Sequence, residues 1–236
     1  MRVALLGYGK MGKAIEAVLQ QKGHEIALKV TQQNPLRMED LKDVDVAIEF
    51  SRPDQALPHM RICMEAGCPV VVGTTGWYHD FDAIRTFCTE HHGALFHATN
   101  FSIGVNIVFR LNQQLAQMMS GLPDYTPRIT EIHHTAKLDA PSGTAITLAE
   151  GIIQHHSATK RWTLDASEDR HALHIDAQRI GDVPGTHIIQ YHSDVDDIEI
   201  RHAAHHRGGF AQGAVAAAEF LIGKRGIFTM SDMLGF

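Results

Sequence analysis

The stretch Arg2-Val3-Ala4-Leu5-Leu6-Gly7-Tyr8-Gly9-Lys10-Met11-Gly12 decides how the chain is read. After Arg2 it runs apolar for four residues, as a strand buried on both faces does. Glycines then fall at 7, 9 and 12, and Ala14, Ile15, Val18 and Leu19 follow at helical spacing. Glu25–Val30 reads as the next strand, so the pattern is β-turn-α-β, the opening of a doubly wound sheet. Each glycine has a separate reason to be there. Gly7 permits the tight turn, Gly9 removes a Cβ that would block phosphates, and Gly12 lets the helix approach the sheet. Strand, turn and helix together predict a dinucleotide site over Gly7, Tyr8, Gly9, Lys10, Met11 and Gly12.

The same rhythm continues outward. Asp45–Phe50 is a third strand, and Pro53 opens the helix carrying Ala56, Leu57, Met60, Ile62 and Met64. Pro69–Val72 is a short strand ending in Gly73-Thr74-Thr75-Gly76. A helix over about residues 80–91 leads to a strand at Ala94–His97, which ends in Ala98-Thr99-Asn100-Phe101. Alternating strands and helices predict a Rossmann-type parallel sheet. Its strand ends then bring Gly73, Thr74, Thr75, Ala98, Thr99 and Asn100 to the nicotinamide half of a dinucleotide, with Phe101 as a flat apolar wall.

After Asn100 the pattern changes. A helix over Ile103–Met119, a strand at Arg128–His134 and a helix from Gly143 precede three strands read as antiparallel, Ala172–Ile180, Thr186–Ser193 and Asp197–His205. A final Ala-rich helix, Phe210–Ile222, is expected to return to the first domain. The expected architecture is α/β, a parallel-sheet domain with a second α+β domain carrying a mixed or antiparallel sheet. Boundaries are placed at 1–102, 103–206 and 207–236, with ligands favouring a cleft between the two domains.

Composition narrows the classes. The chain of 236 residues is 44% hydrophobic and 20% charged, with a formal net charge of −6 and no basic stripe, which argues against nucleic acid. No apolar run reaches the ~20 residues of a membrane span. Three cysteines without framework spacing suit a reducing compartment, and a first strand at Arg2 leaves no room for a leader, so the cytoplasm is expected. Adjacent His pairs are poor chelators on strands and no metal motif is present, so no metal is expected.

The chemistry concentrates in Glu131–Thr144, Glu-Ile-His-His-Thr-Ala-Lys-Leu-Asp-Ala-Pro-Ser-Gly-Thr. His133 and His134 point to opposite faces unless the strand ends there. Lys137 can turn back through the loop at Asp139-Ala140-Pro141, and a histidine beside a lysine suits a substrate bearing carboxylates. Ser142 reads as an N-cap, and the backbone N–H groups of Gly143 and Thr144, with the Thr144 hydroxyl, suit an anion. Ser142 capping its own helix is the plainer reading, and the two are compatible. At the nucleotide end, Thr31-Gln32-Gln33 lacks the acid that commonly holds the ribose hydroxyls. That leaves room for a 2′-phosphate, which Lys10 would approach as a point charge; an ordinary solvated lysine fits the sequence equally.

The run from His133 to Ala145 resembles the signature of the 4-hydroxy-tetrahydrodipicolinate (dihydrodipicolinate) reductase family. The resemblance extends to Gly7–Gly12, Gly73–Gly76, Asn100–Asn106, Arg179-Ile180-Gly181-Asp182 with Gly185 and His187, and Phe210–Ala216. It implies that a cyclic amino dicarboxylate loses water and takes hydride from NADPH or NADH, on the diaminopimelate route to lysine. Carried over, His133 is the general acid/base and Lys137 the proton donor. His134 contacts substrate, and Gly143 and Thr144 bind its carboxylate. The second domain would then bind substrate and build a homotetramer. Residues 31–44 are short beside the family's usual length, which leaves the choice of nucleotide open.

Overall fold

Val3, Ala4, Leu5 and Leu6 are fully buried, as an apolar run without alternation requires. The structure, a computed structural model, describes residues 1–165, 169, 171–206 and 208–236. Its first part runs β1 (Arg2–Leu6), α1 (Lys10–Gln21), β2 (Glu25–Val30), β3 (Val46–Glu49), α2 (Pro53–Glu65), β4 (Val70–Val72), α3 (Phe81–Glu90) and β5 (Ala94–His97). Then come α4 (Ile103–Met119), β6 (Thr126–His133), α5 (Gly143–His155), β7 (Arg161–Thr163), β8 (Ala172–Arg179), β9 (Thr186–His192) and β10 (Asp197–Ala203). The chain closes with α6 (Gly208–Leu221), β11 (Gly226–Phe228) and α7 (Met230–Leu234). Contacts divide it into two units, Met1–Ile103 with Gly208–Phe236, and Gly104–Arg207. The C-terminal segment expected from position 207 begins on a residue outside the described ones.

In the first unit six parallel strands lie in the order β11-β5-β4-β3-β1-β2. The order reverses between β1 and β3, where open parallel sheets bind ligands at their C-terminal edge. One face packs on α1 and α6 through Leu5, Ile15, Leu19, Ala214 and Ala218, and the other on α2 and α3 through Met60, Cys63 and Ile84. All three cysteines are unpaired and buried. Strand β11 had no sequence signal, and the short helix α7 was passed over although Thr229 and Asp232 form a capping box at its start. Three residues make a strand only because β5 offers an edge, with Ile227 opposite Leu95.

The second unit has five strands in the order β10-β9-β6-β8-β7. This corrects the expectation of three consecutive antiparallel strands. β9 and β10 do pair antiparallel, but β8 lies parallel to β6 and does not touch β9 in the sheet. Helix α5 separates β6 from β8, so the chain crosses over and returns in the same direction, and β9 takes the other edge of β6. The sheet is mixed. Ile129, Leu173, Ile175, Ile189 and Tyr191 share its inner face, against Leu148, Ala149 and Ile152 of α5.

Helix α6 approaches the loop after β5 closely enough that a Cβ on Gly213 would overlap the Phe101 carbonyl oxygen. Gly213→Ala therefore sets a helix-propensity gain of about 1 kcal/mol against a backbone clash costing about 1–3 kcal/mol or more. The clash wins. Differential scanning calorimetry of this variant is expected to show a lower midpoint, and an unchanged or higher one would contradict the packing described.

Candidate active site

The C-terminal edge of the parallel sheet gathers the glycine turn, Thr31–Gln33, Phe50–Arg52, Gly73–Thr75 and Ala98–Phe101. Gly7 sits at φ +97°, and a Cβ there would overlap the Phe50 carbonyl. A Cβ on Gly12 would overlap the Gly7 carbonyl, whereas one on Gly9 would meet nothing within 4 Å. Gly7 and Gly12 are therefore required by the fold, while the space over Gly9, at the N-terminus of α1, lies open as a pyrophosphate needs. A cavity of about 730 Å³ beside it is lined by Tyr8, Thr31, Gln32, Gln33, Arg52 and His59, among others. Among the described residues no carboxylate lines it, and Arg52 is the one lysine or arginine that does.

Several of the other residues at this edge are already engaged with the protein. The Tyr8 hydroxyl donates to Glu16 and accepts from Lys29. Lys10 and Met11 begin α1, with Lys10 exposed. Gly73 makes room for the Phe50 ring, and the Thr74 hydroxyl accepts from the Ser51 amide at 2.8 Å. Thr75 is exposed, while Ala98 and Thr99 follow β5 directly. Asn100 accepts from the Ser102 amide at 2.9 Å. Phe101 is not the flat wall expected from the sequence. The residue is 2% exposed, with its ring beside Phe50 and Phe96 and its carbonyl against Gly213 of α6.

In the second unit, β6 ends at His133, so His133 is buried and His134 half-buried. Residues of like parity share a face of a strand, which puts Glu131 and His133 in line with Ile129 on the inner face. Glu131 is 0% exposed. Its Oε1 accepts from the Ser142 amide at 3.0 Å and from Arg179 Nη2 at 3.1 Å. Its Oε2 lies 3.2 Å from His133 Nδ1 and 3.9 Å from His187 Nε2. Sheet register explains the convergence, because Glu131 sits opposite His187 on β9 and His133 opposite Arg179 on β8.

Arg179 also donates to the carbonyls of Lys137, Gln178 and Asp139, clamping the loop that carries Lys137. Lys137 Nζ donates to both Asp139 oxygens at 2.7 Å, which holds the Asp139 carboxyl below the usual range. Ser142 caps α5 by accepting from Ala145, and its hydroxyl lies 3.2 Å from His187 Nε2. Gly143 and Thr144 are the first two residues of α5, and a Cβ on Gly143 would meet nothing within 4 Å.

Burial lowers the pKa of His133; Glu131 opposes that, while Lys137 and Arg179 reinforce it. His187 falls to about 4, chiefly through burial and then through His133. Glu131, His133 and His187 also form a group whose potential metal-ligand atoms lie within 4.8 Å of one another. No sequence spacing announces it, since the residues come from two strands. Arg179 already supplies the carboxylate's countercharge, so the arrangement is that of an ionic hydrogen-bonding network. Glu131, Arg179 and His187 had no assigned role from the sequence. The available signal was an acid among apolar residues on one strand face.

A glycine-turn parallel sheet with an open helix N-terminus, and a second unit carrying a buried His–Glu–Arg network beside a capped helix start, define an NAD(P)H-dependent oxidoreductase built from two units. The chain belongs to the dihydrodipicolinate reductase family. Residues 1–101 match the model of its N-terminus and residues 104–234 that of its C-terminus. A 4-hydroxy-tetrahydrodipicolinate reductase of Christiangramia forsetii is 50% identical over 99% of this chain and 98% of its own. One from Chromobacterium violaceum is 37% identical over 83% and 75%. In fold the chain is similar to a dipicolinate-bound dihydrodipicolinate reductase from Paenisporosarcina sp. TG-14, with a TM-score of 0.79 at 22% identity over 97% of each chain.

The histidine shifts make acid sensitivity testable. An unfolded histidine takes up a proton near pH 6.5, whereas folded His187 resists until about 4. The unfolded chain therefore binds more protons in that window, and stability falls as pH falls through it. Complete passage costs about 3 kcal/mol for this one group. His97, His133, His156 and His202 are shifted in the same direction. Thermal unfolding of His187→Gln between pH 7 and 5 is expected to lose midpoint less steeply than the parent chain; parallel curves would refute the assignment.

Proposed function

We propose that the chain reduces 4-hydroxy-tetrahydrodipicolinate to tetrahydrodipicolinate with loss of water, in the diaminopimelate route to lysine. The observation that carries this reading is the joint arrangement of His133, Lys137 and the α5 start around one buried carboxylate. Gly143 and Thr144 bind a substrate carboxylate at the helix N-terminus, and His134 contacts the ring's other side. His133 acts as general acid/base and Lys137 as proton donor. Because Lys137 is held by Asp139, a carboxylate whose side chain is 60% exposed, an incoming dicarboxylate takes over an ion pair that water already reaches.

The edge at Gly7–Gly12, Gly73–Thr75 and Ala98–Asn100, with Phe101 packed into the protein, would hold the nucleotide, which would supply the hydride. Arg52, in a cavity with no carboxylate among its described lining residues, supports use of NADPH as well as NADH. In keeping with the family resemblance, the second unit builds a homotetramer and the enzyme works in the cytoplasm.

The direct assay follows NAD(P)H consumption with the product of 4-hydroxy-tetrahydrodipicolinate synthase. Turnover is expected, and its absence with both nucleotides would overturn the reading. In the same assay Lys137→Ala is expected to lose about 100-fold or more in kcat with an unchanged melting midpoint; near-normal kcat would remove Lys137 from the chemistry. Arg52→Ala is expected to lower kcat/KM for NADPH more than for NADH, and an equal effect on the two would rule out a 2′-phosphate contact.

A further inference from the structure

Of the buried polar atoms in the second unit that have no hydrogen-bond partner among the described residues, two face one another. Glu131 Oε2 and His133 Nδ1 are both buried, and they lie 3.2 Å apart. A small rotation of the imidazole aligns an Nδ1–H with the carboxylate oxygen, satisfying both atoms with one proton. The other ring nitrogen is approachable. A Cβ on Gly185 would lie 3.1 Å from His133 Nε2, so the absence of a side chain there leaves that nitrogen room. The backbone is pinned as well, since the His133 carbonyl accepts from Ile180 at 2.8 Å.

The second carboxylate oxygen reaches the other parts of the site. Through Arg179 it connects to the carbonyls of Lys137 and Asp139, and through the Ser142 amide to the start of α5. We propose that Glu131 is the positioning residue of this site: it holds His133 with its proton on Nδ1 and Nε2 toward substrate, and it sets the Lys137 loop and the α5 start in register with that nitrogen. A carboxylate so placed selects the histidine tautomer and stabilises the imidazolium that forms when Nε2 takes up a proton. Glu131 touches no reacting atom in this account and acts through its partners.

The charged and titratable groups around His133 set the direction of the pH response. Glu131 comes from its own strand, Lys137 and Asp139 from the loop that follows, Arg179 from β8 and His187 from β9, with His202 of β10 opposite His187. Glu131 and Asp139 favour the imidazolium, and Lys137 and Arg179 disfavour it. His187 is neutral near pH 7. Replacing Glu131 by Gln removes the buried carboxylate 3.2 Å from His133 Nδ1 that favours the imidazolium, so the kinetic limb belonging to His133 moves to lower pH.

The proposal rests on the reductase reading for its kinetic readout, and a second measurement is independent of it. In the full chain, Glu131→Gln is expected to lower kcat by about 100-fold or more, leave KM for the nucleotide unchanged and move the His133 limb to lower pH. Glu131→Asp is expected to recover much of that loss. Wild-type kcat in Glu131→Gln, or a loss with the limb unmoved and no recovery in Glu131→Asp, would overturn the positioning role. The second measurement is nitrogen-15 NMR of the imidazoles in the wild-type chain without substrate, which also decides the matter if Glu131→Gln does not fold. His133 is expected as the Nδ1–H tautomer, and an Nε2–H tautomer would overturn the proposal. Absence of wild-type turnover would sink the reductase reading and leave the tautomer result standing.

Discussion

The Glu131 carboxylate is the constraint on which the arrangement of the second unit's polar cluster depends. A fully buried carboxylate is costly to desolvate and persists only where cations and N–H groups surround it. Here Arg179 and the Ser142 amide take one oxygen, and His133 stands against the other. Removing one partner of such a buried pair costs about 3–5 kcal/mol, because the remaining charge is left unpaired. The same expense gives the arrangement its geometric value. A histidine, a lysine-bearing loop and a helix start are all referred to a single group at the end of one strand.

The first unit uses backbone where the second uses charge. Its ligand edge is built from carbonyl ends, glycines and the N-terminus of α1. Gly7 and Gly12 are held by contacts with the protein's own backbone, while Gly9 borders open space. Glycines equivalent in a sequence pattern therefore divide by cause, two serving the fold and one leaving room for a ligand. A lining whose described residues include no acid, with Arg52 as their one lysine or arginine, agrees with the missing acid at Thr31–Gln33.

The legibility of the sequence follows the range of the interactions involved. β1, the glycine turn, α1 and α4 were readable because local periodicity and turn chemistry decide them. The cap at Ser142 was readable for the same reason. β7 and β11, three residues each, exist through neighbouring strand edges, and no local signal marks them. The parallel placement of β8 depends on the crossover through α5, which a reading of consecutive strands overlooks. Glu131 and Arg179 stand 48 residues apart and meet through sheet register, so neither had an evident role. Phe101 was misread because exposure at a strand end is set by what packs over it, here Phe50 and Phe96.

The central claim is that the dicarboxylate is held by the α5 start beside His133 and Lys137. The most direct measurement is a crystal structure of the chain with pyridine-2,6-dicarboxylate. The account predicts one carboxylate on the backbone N–H groups of Gly143 and Thr144, the ring beside His133 Nε2, and Lys137 Nζ turned from Asp139 toward the ligand. A dicarboxylate bound elsewhere, with Lys137 still paired to Asp139, would contradict it.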